Sequence, residues 1–555
     1  MATALGSFCF LCFLVTMAAA SVRLSTATDS SEVFYAHLLQ LGITAAAAAL
    51  AVQLLFGRKS GAKELDLPPI GSDAELTYRE DYGVSKLANV HPKRPTRLAE
   101  GPLPRYTMAQ VAEHATRDDC WVVLDNRAYD VTKFIEQHPG GVGPVVNMAG
   151  KDATDVFDNY HSARVYKTML TPYLVGEVTD AVVYPHVADF RAARQQLLRR
   201  GLFETDMRFY ARHGCWLGLL FLTALGLSLG AVGDGGTASR MCGAAVMGIF
   251  WQQLAGLGHD LGHSAVTHDF KRDHLVGSLL SFFMGLSVCW WKSDHNTHHV
   301  VCNAIEHDPN IQHMPMLAVT PKIFERPFWD TYHKKIVGMD WIARLLVSYQ
   351  HIFFYPLMAV GRWNLYVQGL LYLITQPDKA HFRKTELTCI VGFFCWCTAV
   401  AFAQPSWPER IGWVFVSHGV GGLLHVQIVL SHWSMETYKG SAYTSMETEW
   451  YLMQLRTTMN VATPEWLDWL HIGLQFQIEH HLFPRLPRHN LREARKLVKA
   501  ICEKHNIHYH EPGFFAGNLE MWRALKRAAL AARGAERGAS GFFESKLWEG
   551  LNLQG

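Results

Sequence analysis

The stretch Trp290-Trp291-Lys292-Ser293-Asp294-His295-Asn296-Thr297-His298-His299 decides the fold. A tryptophan pair suits the boundary between hydrocarbon and water. The three imidazoles that follow, spaced i, i+3 and i+4, fall on one face of a helix. Two other clusters repeat the device: His259-Asp260-Leu261-Gly262-His263, and Gln477-Ile478-Glu479-His480-His481, where glutamine takes the first place. A lone histidine beside an apolar segment is ordinarily a satisfied hydrogen-bonding side chain. Seven imidazoles in ligand registers, all on one predicted side of a membrane, point instead to metal. A structural zinc takes about four ligands and a facial-triad iron two histidines and a carboxylate, so this many nitrogens argue for two ions. Imidazole suits iron, zinc and copper alike, so spacing does not name the element.

Composition agrees with a membrane protein. Charged residues make up 18% and hydrophobic residues 49% of the 555, and the apolar residues gather in blocks about 20 long, enough to span a bilayer. The formal charge of +2 and the lack of a basic stripe interleaved with aromatics exclude nucleic acid as a partner. Residues 1–33 read as a targeting segment without the positive start of a secretory signal, 34–59 as a candidate transmembrane anchor, and 60–104, rich in proline and charge, as a linker. Arginines 191, 194, 199, 200, 208 and 212 form a basic approach that marks the cytosolic side. Two apolar hairpins are expected, Cys215 to Val232 with Met241 to Gly258, and Leu387 to Ala403 with Ile411 to Leu430. Val276 to Trp291 and Leu345 to Leu373 are expected to lie in the interface or re-enter it. Cys215, Cys242, Cys389, Cys395 and Cys397 read as buried thiols, and Cys9-x-x-Cys12 as part of an apolar run without a redox role.

Between these regions, 105–180 has the make-up of a small soluble domain. It carries His138-Pro139-Gly140-Gly141 and, 23 positions after the first histidine, His161. The pair can supply both axial nitrogens of a six-coordinate haem, which carries electrons and leaves no site for oxygen. With Trp121 and Tyr129-Asp130-Val131, this segment resembles cytochrome b5, which implies haem b.

The remainder, 190–512, resembles the membrane fatty acid desaturases of the front-end type. The likeness extends to Asn303, Asp308-Pro309, Ile311-Gln312 and Pro315 after the second cluster, and to Phe483 through Leu491 after the third. It implies a multi-domain chain: a small α+β haem domain, then an all-α membrane domain of two transmembrane hairpins under a cytosolic helical cap holding a di-iron site. It also implies two non-haem irons on His259, His263, His295, His298, His299, His480 and His481. His432 joins them where Leu430-Ser431-His432 replaces the family's usual Leu-Asn-His, and Gln477 is a further ligand or a support. Asn310 stands where the family often has aspartate. Asp260, Asp294 and Glu479 are candidates for orienting the ligand imidazoles.

The activity implied is O2-dependent insertion of a cis double bond into an acyl lipid, between the carboxyl end and an existing double bond. Electrons would come from the fused haem domain, itself served by an NADH-cytochrome b5 reductase. Sphingoid-base Δ8 desaturation and lipid hydroxylation remain alternatives, as does a non-catalytic haem electron carrier. The family implies the endoplasmic reticulum membrane, and the amino-terminal region leaves a plastid membrane open. Residues 513–555 read as a tail.

Overall fold

The computed structural model describes residues 102–534 except 441, 442 and 444. The targeting segment, the anchor, Cys9 and Cys12, all but the end of the linker, and the tail beyond 534 lie outside the described residues.

The first unit runs β1 (Arg105–Tyr106), α1 (Met108–Ala112), β2 (Trp121–Leu124), β3 (Arg127–Asp130), α2 (Val142–Asn147), β4 (Lys151–Asp152), α3 (Thr154–Tyr160), α4 (Ala163–Thr168) and β5 (Leu174–Val178). The strands form one sheet in the order β1-β5-β3-β2-β4. Strands β2 and β3 pair antiparallel through a two-residue turn. Asp125 and Asn126 hold it with φ of 49° and 60°, the conformation whose twist matches the strands and which these residue types tolerate. Alternation then sorts the side chains. Val123 and Ala128 pack with Val111 and Val178 on one face, while Val122, Leu124 and Tyr129 face the other.

That second face does not end at the domain. Its apolar cluster continues through Phe190 and Leu197 to Val300, Ile478 and Phe483 of the helical unit. Helix α5 (Pro185–Arg199) makes the joint. Arg191 clasps Asp155 through Nε at 2.7 Å and Nη2 at 2.8 Å, and Arg194 donates to the Asp158 carbonyl at 2.7 Å. Two members of the basic approach therefore bolt the haem-type domain in place, a role that charge counting cannot distinguish from membrane orientation.

The helical unit contains α6 (Met207–Ser228), α7 (Thr237–Gly262), α8 (Phe270–Met284), α9 (Val288–Val300), β6 (Phe328–Asp330), β7 (Lys335–Val337), α10 (Trp341–Thr375), α11 (Arg383–Phe402), α12 (Trp407–Gly421) and α13 (Leu423–Leu430). The cap adds α14 (Trp450–Thr457), α15 (Gln477–Leu482), α16 (Leu491–Lys504) and α17 (Phe514–Gly534). The order expected from the sequence is present: a small α+β domain followed by a helical one.

Among the described residues, Arg383–Phe402 and Trp407–Leu430 are long and apolar enough to cross a membrane. The pair α8 and α9, bent by 113°, makes a third candidate span or a re-entrant loop, so Val276 to Trp291 is a corner rather than one helix. The first hairpin, α6 with α7, packs as expected but is more polar. Gln252 and Gln253 are buried in it and donate to Leu470 and Trp469 carbonyls, each at 2.8 Å.

Leu345 to Leu373 belongs to one 35-residue helix, α10. It exposes Trp341, Leu345, Tyr349 and Ile352, an apolar stripe at helical spacing that lipid accepts and water does not. Lipid-facing helices also correct the cysteine expectation: Cys397 is buried, but Cys242 and Cys395 are exposed and Cys215 and Cys389 half-buried. Residues 514–534, read as tail, form α17, which buries Met521, Leu525 and Ala532 in an apolar cluster shared with Val347 and Phe354 of α10. Alanine-rich helices pack closely, and composition alone does not reveal it.

One buried carboxylate fastens the corner. Glu386, fully buried, accepts from Ser287 Oγ at 2.5 Å, Ser278 Oγ at 3.1 Å and the Cys289 N–H at 3.2 Å. His274 and Cys289 lie beside it in a group whose donor atoms are within 4.8 Å of one another. Because three donors already occupy the carboxylate, the group is a hydrogen-bond anchor. Glu386→Ala leaves these donors unpaired in an apolar setting and is expected to cost about 2–4 kcal/mol, with a smaller loss for Glu386→Gln. Tryptophan-fluorescence melting in detergent measures this, and an unchanged midpoint in Glu386→Ala refutes the anchor.

Candidate active site

His138 and His161 lie at the ends of the two segments that flank α2 and α3, with ring centroids 5.9 Å apart. His138 Nδ1 donates to the Gly141 carbonyl at 2.8 Å, and His161 Nδ1 to the Phe157 carbonyl at 3.0 Å. Both bonds leave Nε2 as the free lone pair, the second-partner arrangement that fixes tautomer and ring orientation in metal-binding histidines. The turn depends on Gly141, whose φ of 96° is strained for any residue with a Cβ. Burial, followed by the nearby His138, pushes the His161 pKa down to about 3, and burial lowers that of His138. Both imidazoles are neutral and able to ligate.

The three clusters meet below this domain. His259 and His263, at the end of α7, converge with His295 of α9 and His480 of α15, and their ligand atoms lie within 4.8 Å of one another. His298 of α9, His432 just after α13, and His481 of α15 form a second group of the same tightness, with Cys302. His299 stands between the groups. Its Nε2 is 3.0 Å from His295 Nε2 and 3.0 Å from His480 Nε2, and its ring stacks on His481 at 4.1 Å between centroids. Thus all eight histidines named from the sequence are brought together, seven of them in two sets that can each hold one ion.

The donor set fits metal by what it leaves unmatched. His259 Nε2, both ring nitrogens of His263, His299 Nδ1, His481 Nε2 and Gln477 Oε1 are buried without a hydrogen-bond partner, a rare condition in a folded interior. Burial first, then neighbouring imidazoles, holds the pKa values of His432, His480 and His481 well below the ordinary range. Their lone pairs are therefore available to a cation. Gln477 contributes a neutral amide on the same short helix as His480 and His481.

The residues that orient the ligands differ from those expected. His298 Nδ1 donates to Asp308 Oδ2 at 2.9 Å, His481 Nδ1 to Gln454 Oε1 at 2.9 Å, and His432 Nδ1 lies 3.3 Å from the Thr457 carbonyl. By contrast, Glu479 points away and accepts from Asn460 and Tyr509, both at 2.7 Å, with its pKa raised to about 7 by burial. Asp294 takes the Asn310 amide. Asp260 binds Tyr210 Oη at 2.8 Å and Arg488 Nε at 3.2 Å, with His259 Nδ1 no nearer than 3.8 Å.

Asp308 stood in the family pattern without a role, and Gln454 is legible only as a polar residue, with Thr457, among the mostly apolar buried residues of α14. Cys302 had no signal in the sequence. Its sulfur lies 3.4 Å from His432 Nδ1 within the second group, where burial raises its pKa.

Asp308 also accepts from the Asn303 N–H at 2.7 Å and the Asn310 N–H at 2.8 Å. Asp308→Ala should lower metal affinity by about 10–100-fold, the usual cost of losing an orienting partner, and leave haem uptake intact. The metal-to-haem ratio of purified protein checks this; an unchanged ratio counts against the orienting role.

Residues 107–179 match the cytochrome b5-like heme/steroid binding domain family, and residues 238–513 match the fatty acid desaturase family. A Delta(8)-fatty-acid desaturase of Helianthus annuus is 34% identical over 453 residues, covering 81% of this chain and 96% of that one. An acyl-lipid (9-3)-desaturase of Borago officinalis is 33% identical over 458 residues, covering 81% and 98%. A Delta 8-(E)-sphingolipid desaturase of Lachancea kluyveri is 35% identical over 418 residues, covering 72% and 71%. With the haem-type domain, the two histidine groups and two plant relatives matched over nearly their whole length, the chain belongs to the fatty acid desaturase family, in the form that carries a cytochrome b5-like domain ahead of the desaturase domain.

Proposed function

We propose that this enzyme is a front-end desaturase, inserting a cis double bond into an unsaturated acyl chain between its carboxyl end and an existing double bond. The observation that carries this reading is the meeting of eight imidazoles, six of them buried and two half-buried, in two adjoining sets beneath a pair of histidines placed to hold haem. In the proposal, His259, His263, His295 and His480 hold one iron, His298, His432 and His481 hold the other, and His299 stands between them. His138 and His161 hold haem b.

The irons and haem, when bound, supply the oxidising power toward an unactivated methylene and the electrons that renew it. The rest falls to the protein. Asp308, Gln454 and the Thr457 carbonyl fix ring orientation, burial favours the neutral form of His432, His480 and His481, and Gln477 leaves one position to a weakly held ligand because an amide binds less strongly than imidazole. Apolar helices present the acyl chain from the membrane, so the chief contribution is positioning.

Each turnover removes two hydrogens from the substrate and reduces one O2 to two waters, so two electrons and two protons enter from outside. An NADH-cytochrome b5 reductase is the proposed source of the electrons, and the endoplasmic reticulum membrane the proposed location.

A second reading is favoured by the name of the Lachancea kluyveri relative, a Delta 8-(E)-sphingolipid desaturase: the substrate is a sphingoid base and the new bond lies at Δ8. Expression in a host without long polyunsaturated lipids, with supplied fatty acids, separates the two. Mass spectrometry of fatty-acid esters and of long-chain bases from the same cells should find a new double bond in one pool. It should be absent in His480→Ala and in His138→Ala. A hydroxylated product transfers the assignment to a hydroxylase, and unchanged lipids in cells whose enzyme is loaded with iron and haem refute desaturation.

A further inference from the structure

Helix α9 has two working faces. His295, His298 and His299, at i, i+3 and i+4, turn toward the metal groups, while Ser293, Asn296 and Thr297 repeat the same spacing on nearly the opposite side. That second face receives the haem domain. Asn296 Nδ2 donates to the Gly140 carbonyl of the His-Pro-Gly-Gly turn at 3.4 Å. Gly143, at the start of α2, lies so close that a Cβ there would come within 2.6 Å of Thr297 Oγ1 and 3.4 Å of Thr297 Cβ. Lys379 pairs with Glu136 at 3.8 Å beside the same turn. Since the apolar core also runs from one unit into the other, the haem domain is seated rather than merely tethered.

From this seat one residue reaches between the two centres. Tyr160, bonded through the peptide to His161, presents its ring edge-on to His299 with centroids 6.3 Å apart. His299 touches both groups, through His295 and His480 of the first and the ring of His481 in the second. The Tyr160 hydroxyl is buried without a partner, so nothing holds the phenol by its oxygen and its ring makes the contact. Tunnelling through bonded and packed atoms decays far less steeply than across gaps, which makes a ring wedged between an axial ligand and a metal ligand an effective conduit.

We propose that α9 is the docking surface of the haem domain and that Tyr160 is the bridge across which electrons pass to the site at His299. This rests on the reading of the histidine groups as an iron pair. One electron leaves ferrous haem, which becomes ferric, and reduces one ferric ion of the pair. Two such passages, with the haem re-reduced by the reductase between them, deliver the two electrons a turnover requires. Tyr160 itself acts as a positioning residue, neither oxidised nor deprotonated overall.

The test follows haem rather than product. Full-length protein in detergent, with haem reduced by NADH and reductase, is mixed with O2 and an accepted acyl lipid, and the return of the ferric haem spectrum is timed. Tyr160→Phe, which keeps the ring, should match the unmutated protein within about twofold, while Tyr160→Leu should slow haem reoxidation about tenfold or more. The haem spectrum, its midpoint potential and the rate of its reduction by reductase should stay unchanged in both variants.

Gly143→Val should do the same by unseating the domain, and hydrogen exchange at residues 142–147 and 288–300 should rise in metal-free protein as well; this variant carries the test if Tyr160→Leu loses haem. Reoxidation at the unmutated rate in both Tyr160→Leu and Gly143→Val overturns the bridge while leaving the desaturase reading intact. Haem in the unmutated, iron-loaded protein that is never reoxidised in a substrate-dependent manner overturns both.

Discussion

The structure depends on keeping imidazole nitrogens unprotonated and aimed at a common point without a charged group at the centre to hold them there. Ten histidines face this constraint, two in the haem domain and eight in the membrane unit. Where a partner for Nδ1 is present, the solution is the same: a neutral acceptor or one carboxylate takes that proton and Nε2 is left free. Each such bond is worth about 1 kcal/mol net. The larger effect is on orientation, because an imidazole that rotates by half a turn presents the wrong nitrogen. Burial does the remaining work by lowering the imidazole pKa values. The cost is a cluster of polar atoms with no partners, tolerable only because a cation can take them up.

Those ligands come from α7, α9, the end of α13 and α15, so four chain segments must be fixed against one another to better than an ångström or so. The anchors are polar bonds placed just outside the metal groups. Lys292, next to the tryptophan pair, donates to the Gly262 carbonyl at 2.7 Å and so ties the end of α7 to α9. Asn303 Nδ2 donates to the His432 carbonyl at 2.9 Å and the Glu436 carbonyl at 3.0 Å, tying the loop after α9 to the end of α13. Gln454 serves twice, accepting from His481 and donating to the His299 carbonyl at 3.1 Å. In an apolar surrounding such bonds are expensive to break, which is what a site assembled from distant segments needs.

The ligands were legible because helical periodicity is local: i, i+3 and i+4 spacing states in five residues that side chains share a face. The haem turn was legible for a similar reason, since Gly140-Gly141 beside His138 records a backbone constraint. The orienting groups were not, because Asp308, Gln454 and the Thr457 carbonyl act across 10, 27 and 25 positions, and no local pattern encodes such pairings. Proximity in sequence was misleading in the same measure. Asp260, Asp294 and Glu479 sit among the ligands along the chain, yet a side chain adjacent to a ligand on a helix points about 100° away from it, and all three are engaged elsewhere. Arg191 and Arg194 misled similarly, since a positive charge ahead of a hydrophobic segment reads alike whether it faces lipid head groups or Asp155.

The loop from Asn303 to Asn310 shows how far one substitution must be compensated. Asp308 grips His298 from one side, and two residues later Asn310 gives its amide to Asp294, the neighbour of His295. The cluster from His295 to His299 is thus held at both ends by one short segment, whose own backbone is folded onto the Asp308 carboxylate through the N–H groups of Asn303 and Asn310. The resemblance noted above puts aspartate at position 310 in many relatives. Facing Asp294, an aspartate would bring two carboxylates together away from bulk water, and one of them would have to take up a proton to bond to the other. Asparagine supplies the donor permanently. The departure from the family pattern at 310 therefore leaves one titratable group at this contact instead of two, Asp294, whose carboxyl pKa is pushed up to about 6 by burial, on the helix that carries three ligands.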